Sequence, residues 1–239
     1  MQEPEFLSWR GNRIHTRDTG SGEPLLLLGG LGCDADSWAP FVRELTGRRI
    51  LCFDAPGTGS SSSSLLPVSI SSLADLAAAV LDRYDVAAAD VVGFSYGGAV
   101  AQQLAIDHPE RIRRLVLAAT TCGWGAVPGP LQAMAVFAHS LRLYSPAYFE
   151  RVAATLYGGV TSRDAGSRAH EGARHAANLQ ASYGYAMQLL GAAGWTSLPY
   201  LGRIPHETLV INGDDDPLVP VVNAELLARR IPQIGRAHV

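Results

Sequence analysis

The sequence has few of the residues that mark several large classes of protein. Its three cysteines, Cys33, Cys52 and Cys122, are far apart and form no Cys-x-x-Cys pair, so a disulfide framework and a zinc site are both unexpected. Acidic residues slightly outnumber basic ones, and the formal net charge is −3. The chain therefore lacks the positive surface of a nucleic-acid-binding protein, and we expect no nucleic-acid partner and no metal.

Export and membrane signals are also missing from the 239 residues. The opening stretch "MQEPEFLSWRGNRIH" is polar and acidic, without the basic and then apolar regions of a signal peptide. The apolar stretch "PLLLLGGLGC" at 24–33 is far shorter than the roughly 20 residues that a membrane-spanning helix needs. We therefore expect a cytoplasmic protein with no membrane span.

What the first 120 residues do contain is an alternation of short apolar runs and helical patterns. The runs "PLLLLGG", "RRILCF" and "ADVVGF" predict buried strands, whereas "ISSLADLAAAVLDRY" and "YGGAVAQQLAIDHPE" predict helices. A polar stretch at 13–20 predicts an edge strand, and the five serines at 60–64 predict a solvated loop. Alternating buried strands and helices indicate an α/β fold, with a mostly parallel sheet covered by helices on both faces.

The pattern changes to mainly helical text between about Thr121 and Pro205. Six of the eight tyrosines lie between Tyr144 and Tyr200, so this part is also rich in aromatic side chains. A helical insertion between two strands of a parallel sheet suggests a cap over the carboxyl edge, where open α/β sheets bind ligands. We therefore predict a core made of residues 1–120 and 206–239, and a helical cap at 121–205.

One short stretch indicates nucleophilic chemistry. "VVGFSYGGAV" at 91–100 places Ser95 between Gly93 and Gly97, after a predicted strand and before a predicted helix. This is the pattern of a nucleophile elbow, in which a strained turn exposes the serine oxygen next to the helix N-terminus. The alternative is an ordinary glycine turn that happens to contain a serine. We predict Ser95 as the nucleophile.

Acyl transfer at Ser95 also requires donors for the oxyanion. The backbone amide of Tyr96, directly after the serine, is one candidate. The second candidate is the amide of Leu31, because Gly29, Gly30 and Gly32 allow the backbone of "LLGGLGCDADSW" to approach closely. The alternative is that these glycines only shape a turn.

The acid and the base of a triad should follow the serine in the order aspartate, then histidine. "LVINGDDDPLVP" supplies Asp214, Asp215 and Asp216; we choose Asp216, with Asp215 second, and a solvated acidic turn is the alternative. The base is harder to identify, because His238 alone follows the acid and lies within the predicted last strand. We expect the base on a segment beyond Val239, so that the chain is truncated at its C-terminus, and we keep His238 as the alternative.

A further glycine-rich turn, "CFDAPGTGSS", follows a strand but lacks the lysine of a phosphate-binding loop and the spacing of a dinucleotide fingerprint. We interpret it as a structural turn around Asp54, and we expect no organic cofactor.

With these residues in view, the chain resembles the α/β-hydrolase superfamily. Within it, the chain is similar to the intracellular depolymerases of medium-chain-length polyhydroxyalkanoates, which are bacterial storage polyesters. The resemblance is carried by "GFSYGGAVAQQLAIDHPERIRRLVLAAT", "LYGG", "GYAMQLLGAAGWTS" and "NGDDDPLVPVVNAELLARRIP". It implies the α/β-hydrolase fold, with Ser95 as nucleophile, Asp216 as the acid and a histidine just past the final strand.

The resemblance also implies an activity and a substrate class. We expect a serine hydrolase that cleaves esters of aliphatic poly(3-hydroxyalkanoate) or its oligomers through an acyl-enzyme, with the surface of a polyester granule as a candidate partner. One alternative is a small-molecule carboxylesterase or lactonase on the same machinery. Another is a non-catalytic hydrolase-like protein that binds a ligand under its cap.

Overall fold

The computed structural model describes residues 5–138, 145–166 and 181–238, with side chains at all of these except 146, 181, 182 and 236–238. Its centre is a sheet of eight strands in the spatial order β1-β2-β4-β3-β5-β6-β7-β8. The strands are β1 (Glu5–Trp9), β2 (Asn12–Gly20), β3 (Glu23–Leu28), β4 (Arg48–Phe53), β5 (Ala89–Phe94), β6 (Ile112–Ala118), β7 (Glu207–Asn212) and β8 (Ile234–His238).

The sheet is parallel from β4 to β8, as predicted. Only the pairings of β1 with β2 and of β2 with β4 are antiparallel. The expectation that residues 13–20 form an edge strand is wrong, because β1 pairs along the outer side of β2. The serine-rich loop also differs from the prediction: Ser61 is buried, and its hydroxyl donates to the carbonyl of Asp54 and accepts from the amide of His15.

Helices connect the parallel strands and cover the sheet. The described helices are α1 (Ala39–Arg43), α2 (Ile70–Arg83), α3 (Tyr96–Asp107), α4 (Leu131–Ala138), α5 (Pro146–Leu156), α6 (Gly159–Arg163), α7 (Ala181–Ala192) and α8 (Val222–Arg230). Ser69 caps the start of α2, since its side chain accepts from the amide of Ser72.

The hydrophobic core divides between the two faces of the sheet, because successive side chains of a strand point to opposite faces. In β3, Leu26 and Leu28 belong to the large cluster with α2 and α3, whereas Leu25 and Leu27 pack on the side of α1 with Trp38. This alternation accounts for the run of four leucines: a strand buried on both faces has no polar side.

Helices α4 to α7 all lie in the connection between β6 and β7. The ends of this connection meet next to the core, where Gly123 forms a bridge with Thr196. We call residues 121–205 the insertion from here on. The division into a core and a separate cap unit stays a prediction.

Candidate active site

Ser95 occupies the junction of β5 and α3 in a strained conformation. Its backbone angles are φ 52° and ψ −114°, which side-chain-bearing residues rarely adopt and which cost about 1–3 kcal/mol. The surrounding structure holds this geometry: the Ser95 amide donates to the carbonyl of Ala118 at 2.9 Å, and the Thr120 hydroxyl donates to the carbonyl of Ser95 at 2.7 Å.

Two glycines make the sharp turn at Ser95 sterically possible. A Cβ at Gly97 would collide with the carbonyl of Leu28, and a Cβ at Gly93 would lie 2.7 Å from the Cβ of Ala101. The turn therefore brings α3 directly against the end of β3, and the N-terminal amides of α3 face the same edge of the sheet as Ser95. Tyr96, the first residue of α3, is partly buried, and this burial raises the pKa of its phenol.

The loop after β3, residues 29–33, lies beside Ser95; we call it the oxyanion loop. Leu31 and Gly30 line the same cavity as Ser95. The loop turns sharply, because the Cys33 amide donates to the carbonyl of Gly30 at 3.0 Å and Gly32 has a φ of +74°. The two predicted oxyanion donors, the amides of Leu31 and Tyr96, therefore belong to chain segments that flank Ser95.

Asp54 anchors the segment that follows this loop, a role that the sequence did not reveal. Its buried carboxylate accepts from the amides of Ala35 at 2.7 Å and Ser60 at 2.8 Å. The Nδ1 atom of His15 lies 2.8 Å from the same carboxylate. The turn that we interpreted as structural thus fixes the start of the segment that follows the oxyanion loop.

The three adjacent aspartates after β7 have different surroundings. Asp214 and Asp215 are exposed, whereas Asp216 is partly buried. Asp216 accepts from the amides of Leu218 and Val219, both at 2.9 Å. Burial raises the pKa of the Asp216 carboxyl above its ordinary value, and these two hydrogen bonds offset part of the increase.

Asp215 contacts the insertion instead. Its carboxylate accepts from the amide of Gly159 at 3.0 Å and lies 3.4 Å from the Arg163 guanidinium. Like charges this close cannot all be buried, and in the structure Asp214 and Asp215 are exposed while only Asp216 is partly buried. We call residues 213–219 the acid loop.

A cavity of about 550 Å³ brings these parts together. It is bounded by Ser95 and Leu31 from the core, by Asp216 from the acid loop, and by Phe137 and Leu156 from the insertion. Its volume is within the roughly 300–1,000 Å³ typical of small-molecule sites. The described part of the chain contains no cluster of three or more metal-ligating side chains.

The histidines with described side chains lie elsewhere. His15 bonds Asp54, Nε2 of His108 lies 3.0 Å from Asp75, and His206 donates to the carbonyl of Pro109 at 2.8 Å. His139, His170 and His175 lie outside the described residues, as does the side chain of His238, whose backbone pairs with Asn212 in the sheet. The prediction of a base beyond Val239, with His238 as the alternative, therefore stays a prediction.

Gln188 is a further residue at the site that was not predicted from the sequence. This side chain is 3 % exposed and bonds the oxyanion loop from within α7. A single glutamine in the otherwise apolar stretch "YAMQLLGA" is a detectable signal, because a buried amide requires partners.

No helix among residues 5–138, 145–166 and 181–238 is both long and apolar enough to cross a membrane.

Comparisons with known proteins agree with this architecture. A poly(3-hydroxyalkanoate) depolymerase from Ectopseudomonas oleovorans is 41% identical over 219 residues, which cover 90% of this chain and 76% of that protein. A 2-hydroxymuconate semialdehyde hydrolase from Pseudomonas sp. strain CF600 is 32% identical, with 96% of this chain and 82% of that protein covered.

Among solved structures, a hydrolase from Pseudomonas aeruginosa PA01 superposes with a TM-score of 0.84 at 26% identity, covering 100% of this chain and 90% of that one. A family model described as the alpha/beta hydrolase fold matches residues 23–238. The predicted fold class and the predicted resemblance are thus confirmed, and this chain belongs to the α/β-hydrolase family.

Proposed function

We propose that this chain is a serine hydrolase that cleaves ester bonds through an acyl-enzyme on Ser95. The observation that carries the proposal is the strained backbone of Ser95 at the start of α3, beside a cavity shared with the acid loop. Strain of this kind persists only where the surrounding structure maintains it, and it concentrates at functional sites.

The proposed mechanism has two steps. Ser95 Oγ attacks the ester carbonyl while a histidine takes its proton, and the amides of Leu31 and Tyr96 stabilise the negative oxygen. The C–O bond to the alcohol breaks, and the histidine returns the proton to the leaving alcohol. Water then attacks the acyl-enzyme with the same base, which releases the carboxylic acid and restores Ser95.

Asp216 is proposed to orient that histidine. Its partial burial at the cavity wall supports it over the exposed Asp215, whose carboxylate is bonded to the insertion. The base is proposed to come from a segment beyond Val239. Strands β7 and β8 are parallel neighbours, so a segment leaving β8 emerges at the edge that carries residues 214–216.

The proposed substrate is an aliphatic poly(3-hydroxyalkanoate) or its oligomers. The 41% identity to a poly(3-hydroxyalkanoate) depolymerase supports this class. The apolar wall formed by Phe137, Leu156 and Leu218 is suited to alkyl side chains, and the exposed carboxylates of Asp214 and Asp215 favour a neutral ester over an anionic one. A cytoplasmic location beside polyester granules goes with this proposal.

The second candidate is a small-molecule carboxylesterase or lactonase. It is favoured by the size of the cavity, since about 550 Å³ holds a drug-sized ligand and not a length of polymer. A polymer would have to enter with one chain end or a short loop. The two candidate functions share Ser95 as the nucleophile and differ in the substrate that enters the cavity, a polymer segment or a small ester.

The first test is Ser95→Ala in the full-length gene product, with turnover of a short p-nitrophenyl ester as the measurement. We expect kcat to fall by roughly 10⁴-fold or more, because the nucleophile is lost. Ser63→Ala, which changes an exposed serine far along the chain from the elbow, should leave turnover unchanged. Undiminished turnover by Ser95→Ala would exclude the serine mechanism.

The second test separates the substrate classes. Release of 3-hydroxy acids from purified polyester granules and hydrolysis of soluble esters and lactones are measured with the same enzyme preparation. If the chain is a depolymerase, we expect it to degrade the granules, and we expect Ser95→Ala to abolish this activity. Activity on soluble esters alone supports the second candidate, and ligand binding without any turnover supports a non-catalytic protein.

A further inference from the structure

We propose that Gln188 of α7 is a positioning residue for the oxyanion hole, so that the insertion shapes the catalytic centre as well as covering it. This inference rests on the proposed function, because it concerns the amides that would stabilise the oxyanion. It begins from a hydrogen bond between a buried side chain of the insertion and the backbone of the oxyanion loop.

Gln188 joins α7 to two loops of the core. Its Oε1 accepts from the amide of Gly32 at 3.1 Å, and its Nε2 donates to the carbonyl of Pro56 at 3.3 Å. The side chain is 3 % exposed, so water does not readily replace either partner. Both ends of the amide group are therefore used, and the rotation of the side chain is fixed.

The neighbours of Gln188 on α7 hold the other side of the same loop. Tyr185 is 1 % exposed, and Leu31 and Leu189 pack around it. The Tyr185 hydroxyl donates to the carbonyl of Phe137 at 2.9 Å, and a Cβ at Gly32 would lie 3.2 Å from the Tyr185 ring. Leu31 and Gly32 are thus fixed by a ring on one side and a hydrogen bond on the other.

Helix α7 itself has little freedom to shift. The backbone of Gly184 lies directly against that of Gly57, and Gly191 lies directly against the carbonyl of Val68. A side chain at either glycine would collide with core backbone. Since these contacts fix the helix, Gln188 provides a fixed reference point for the oxyanion loop.

The consequence concerns the amide of Leu31. It belongs to the residue just before Gly32, in a turn closed by the hydrogen bond from Cys33 to Gly30. Loss of the Gln188 contact frees the Gly32 peptide, and rotation there changes the direction of the neighbouring amides. Hydrogen bonds in an oxyanion hole form in the transition state, so an error in their direction reduces kcat more than it raises KM.

The test is Gln188→Met, which keeps the length of the side chain and removes both hydrogen bonds. We expect kcat for a p-nitrophenyl ester to fall roughly 10- to 100-fold with KM changed less than about threefold, since a small misplacement costs up to about 10²-fold. The matched control is Tyr183→Phe, which removes another hydrogen bond from α7 to the core, the 2.9 Å contact with the carbonyl of Leu65. That variant should keep its kcat.

Two further readouts separate positioning from simple loss of structure. A boronic acid inhibitor, which forms a tetrahedral adduct with the serine, should bind Gln188→Met more weakly in proportion to the loss of kcat. Gln188→Glu can accept from Gly32 and, when its carboxyl is protonated, donate to Pro56. Its kcat relative to the unmodified protein should therefore rise as the pH falls.

The outcomes distinguish the two levels of proposal. If Ser95→Ala abolishes turnover but Gln188→Met keeps kcat within threefold, the positioning role is wrong and the serine mechanism stands. An equal loss of kcat in Tyr183→Phe, or a Gln188→Glu to wild-type ratio that does not change with pH, also overturns the positioning role. If Ser95→Ala retains turnover, the proposed function fails whatever the Gln188 variants do.

Discussion

Two segments of the insertion contact opposite sides of the candidate active site by different means. On the oxyanion side, α7 docks through buried neutral groups, chiefly Gln188 and the backbone of Gly184. On the acid side, Gly158 lies against the backbone of Asp215, and Arg163 at the end of α6 forms an exposed ion pair with the Asp215 carboxylate. One insertion thus holds both catalytic loops, with a buried side-chain amide on the oxyanion side and an exposed ion pair beside close backbone packing on the acid side.

This difference indicates which of the two polar contacts depends on solution conditions. A buried hydrogen bond is insensitive to salt, and its loss leaves two backbone groups without partners. An exposed ion pair contributes about 0–1 kcal/mol and weakens as ionic strength rises. We infer that the polar contact on the oxyanion side is insensitive to solution conditions, whereas the ion pair on the acid side is the contact that salt can weaken.

Of the changes that compare the two sides of the site, the largest effect is expected in the acid loop, where Asp216→Asn removes the charge that orients the base. We expect kcat to fall by about 10³–10⁴-fold, because the histidine loses the partner that fixes its tautomer. Asp214→Asn is the matched control, since it changes an adjacent exposed carboxylate and should alter kcat only slightly. Similar losses in both variants would remove the distinction between the two aspartates.

The same variant carries a prediction for stability. Burial raises the pKa of Asp216 in the folded chain above its ordinary value of 3.8, so ionisation of this carboxyl destabilises the fold as the pH rises through that pKa. Asparagine keeps an oxygen for Leu218 and Val219 and does not ionise. For residues 1–239, without the proposed downstream histidine, we expect a higher unfolding midpoint for Asp216→Asn at pH 7 and no gain below pH 3.8; a lower midpoint at pH 7 would contradict the expected effect of burial.

The next effect concerns the docking of α7. In Gly184→Ala the new methyl group would meet the backbone of Gly57, and overpacking of this kind costs about 1–3 kcal/mol. We expect lower stability in urea denaturation together with a loss of kcat of roughly 10-fold or more, since the helix that carries Gln188 must shift. Gly202→Ala is the control, because the nearest atom to a Cβ there is 3.9 Å away. Normal kcat in Gly184→Ala would mean that α7 docking and catalysis are independent.

The smallest effect concerns the exposed ion pair. Asp215→Asn removes the charge opposite Arg163 and keeps an acceptor for the amide of Gly159. We expect a destabilisation of at most about 1 kcal/mol, which disappears at high salt. Thermal unfolding of Asp215→Asn and of the unmodified protein, each in low and in high salt, measures this difference in stability. A loss that persists at high salt would show that the acid side is not held by exposed charge.

Much of the fold could be predicted from the sequence, because the central strands β3 and β4 are buried on both faces and have apolar runs such as 25–28. The elbow around Ser95 could also be predicted, because a side chain at Gly93 or Gly97 would collide with neighbouring atoms, so the turn requires glycine at both positions. The order of strands at the edge of the sheet could not be predicted. Strands β1 and β2 are both partly polar, and which of them lies outermost depends on strand pairing and not on composition.

The contacts between the insertion and the core were also beyond sequence reasoning. Gln188 bonds an amide 156 positions away, and nothing local to either residue specifies the other. The serine run around Ser61 predicts a solvated loop, yet the Ser61 hydroxyl donates to the carbonyl of Asp54 and is buried. In both cases a buried polar group requires partners that only the tertiary structure supplies.

The most direct test of the account is to label the full-length protein with a fluorophosphonate and locate the adduct by peptide mass spectrometry. The account predicts one stoichiometric adduct, on Ser95, which is absent in Ser95→Ala and forms more slowly in Gln188→Met. An adduct on another residue, or a fully folded protein that does not react at all, would contradict it.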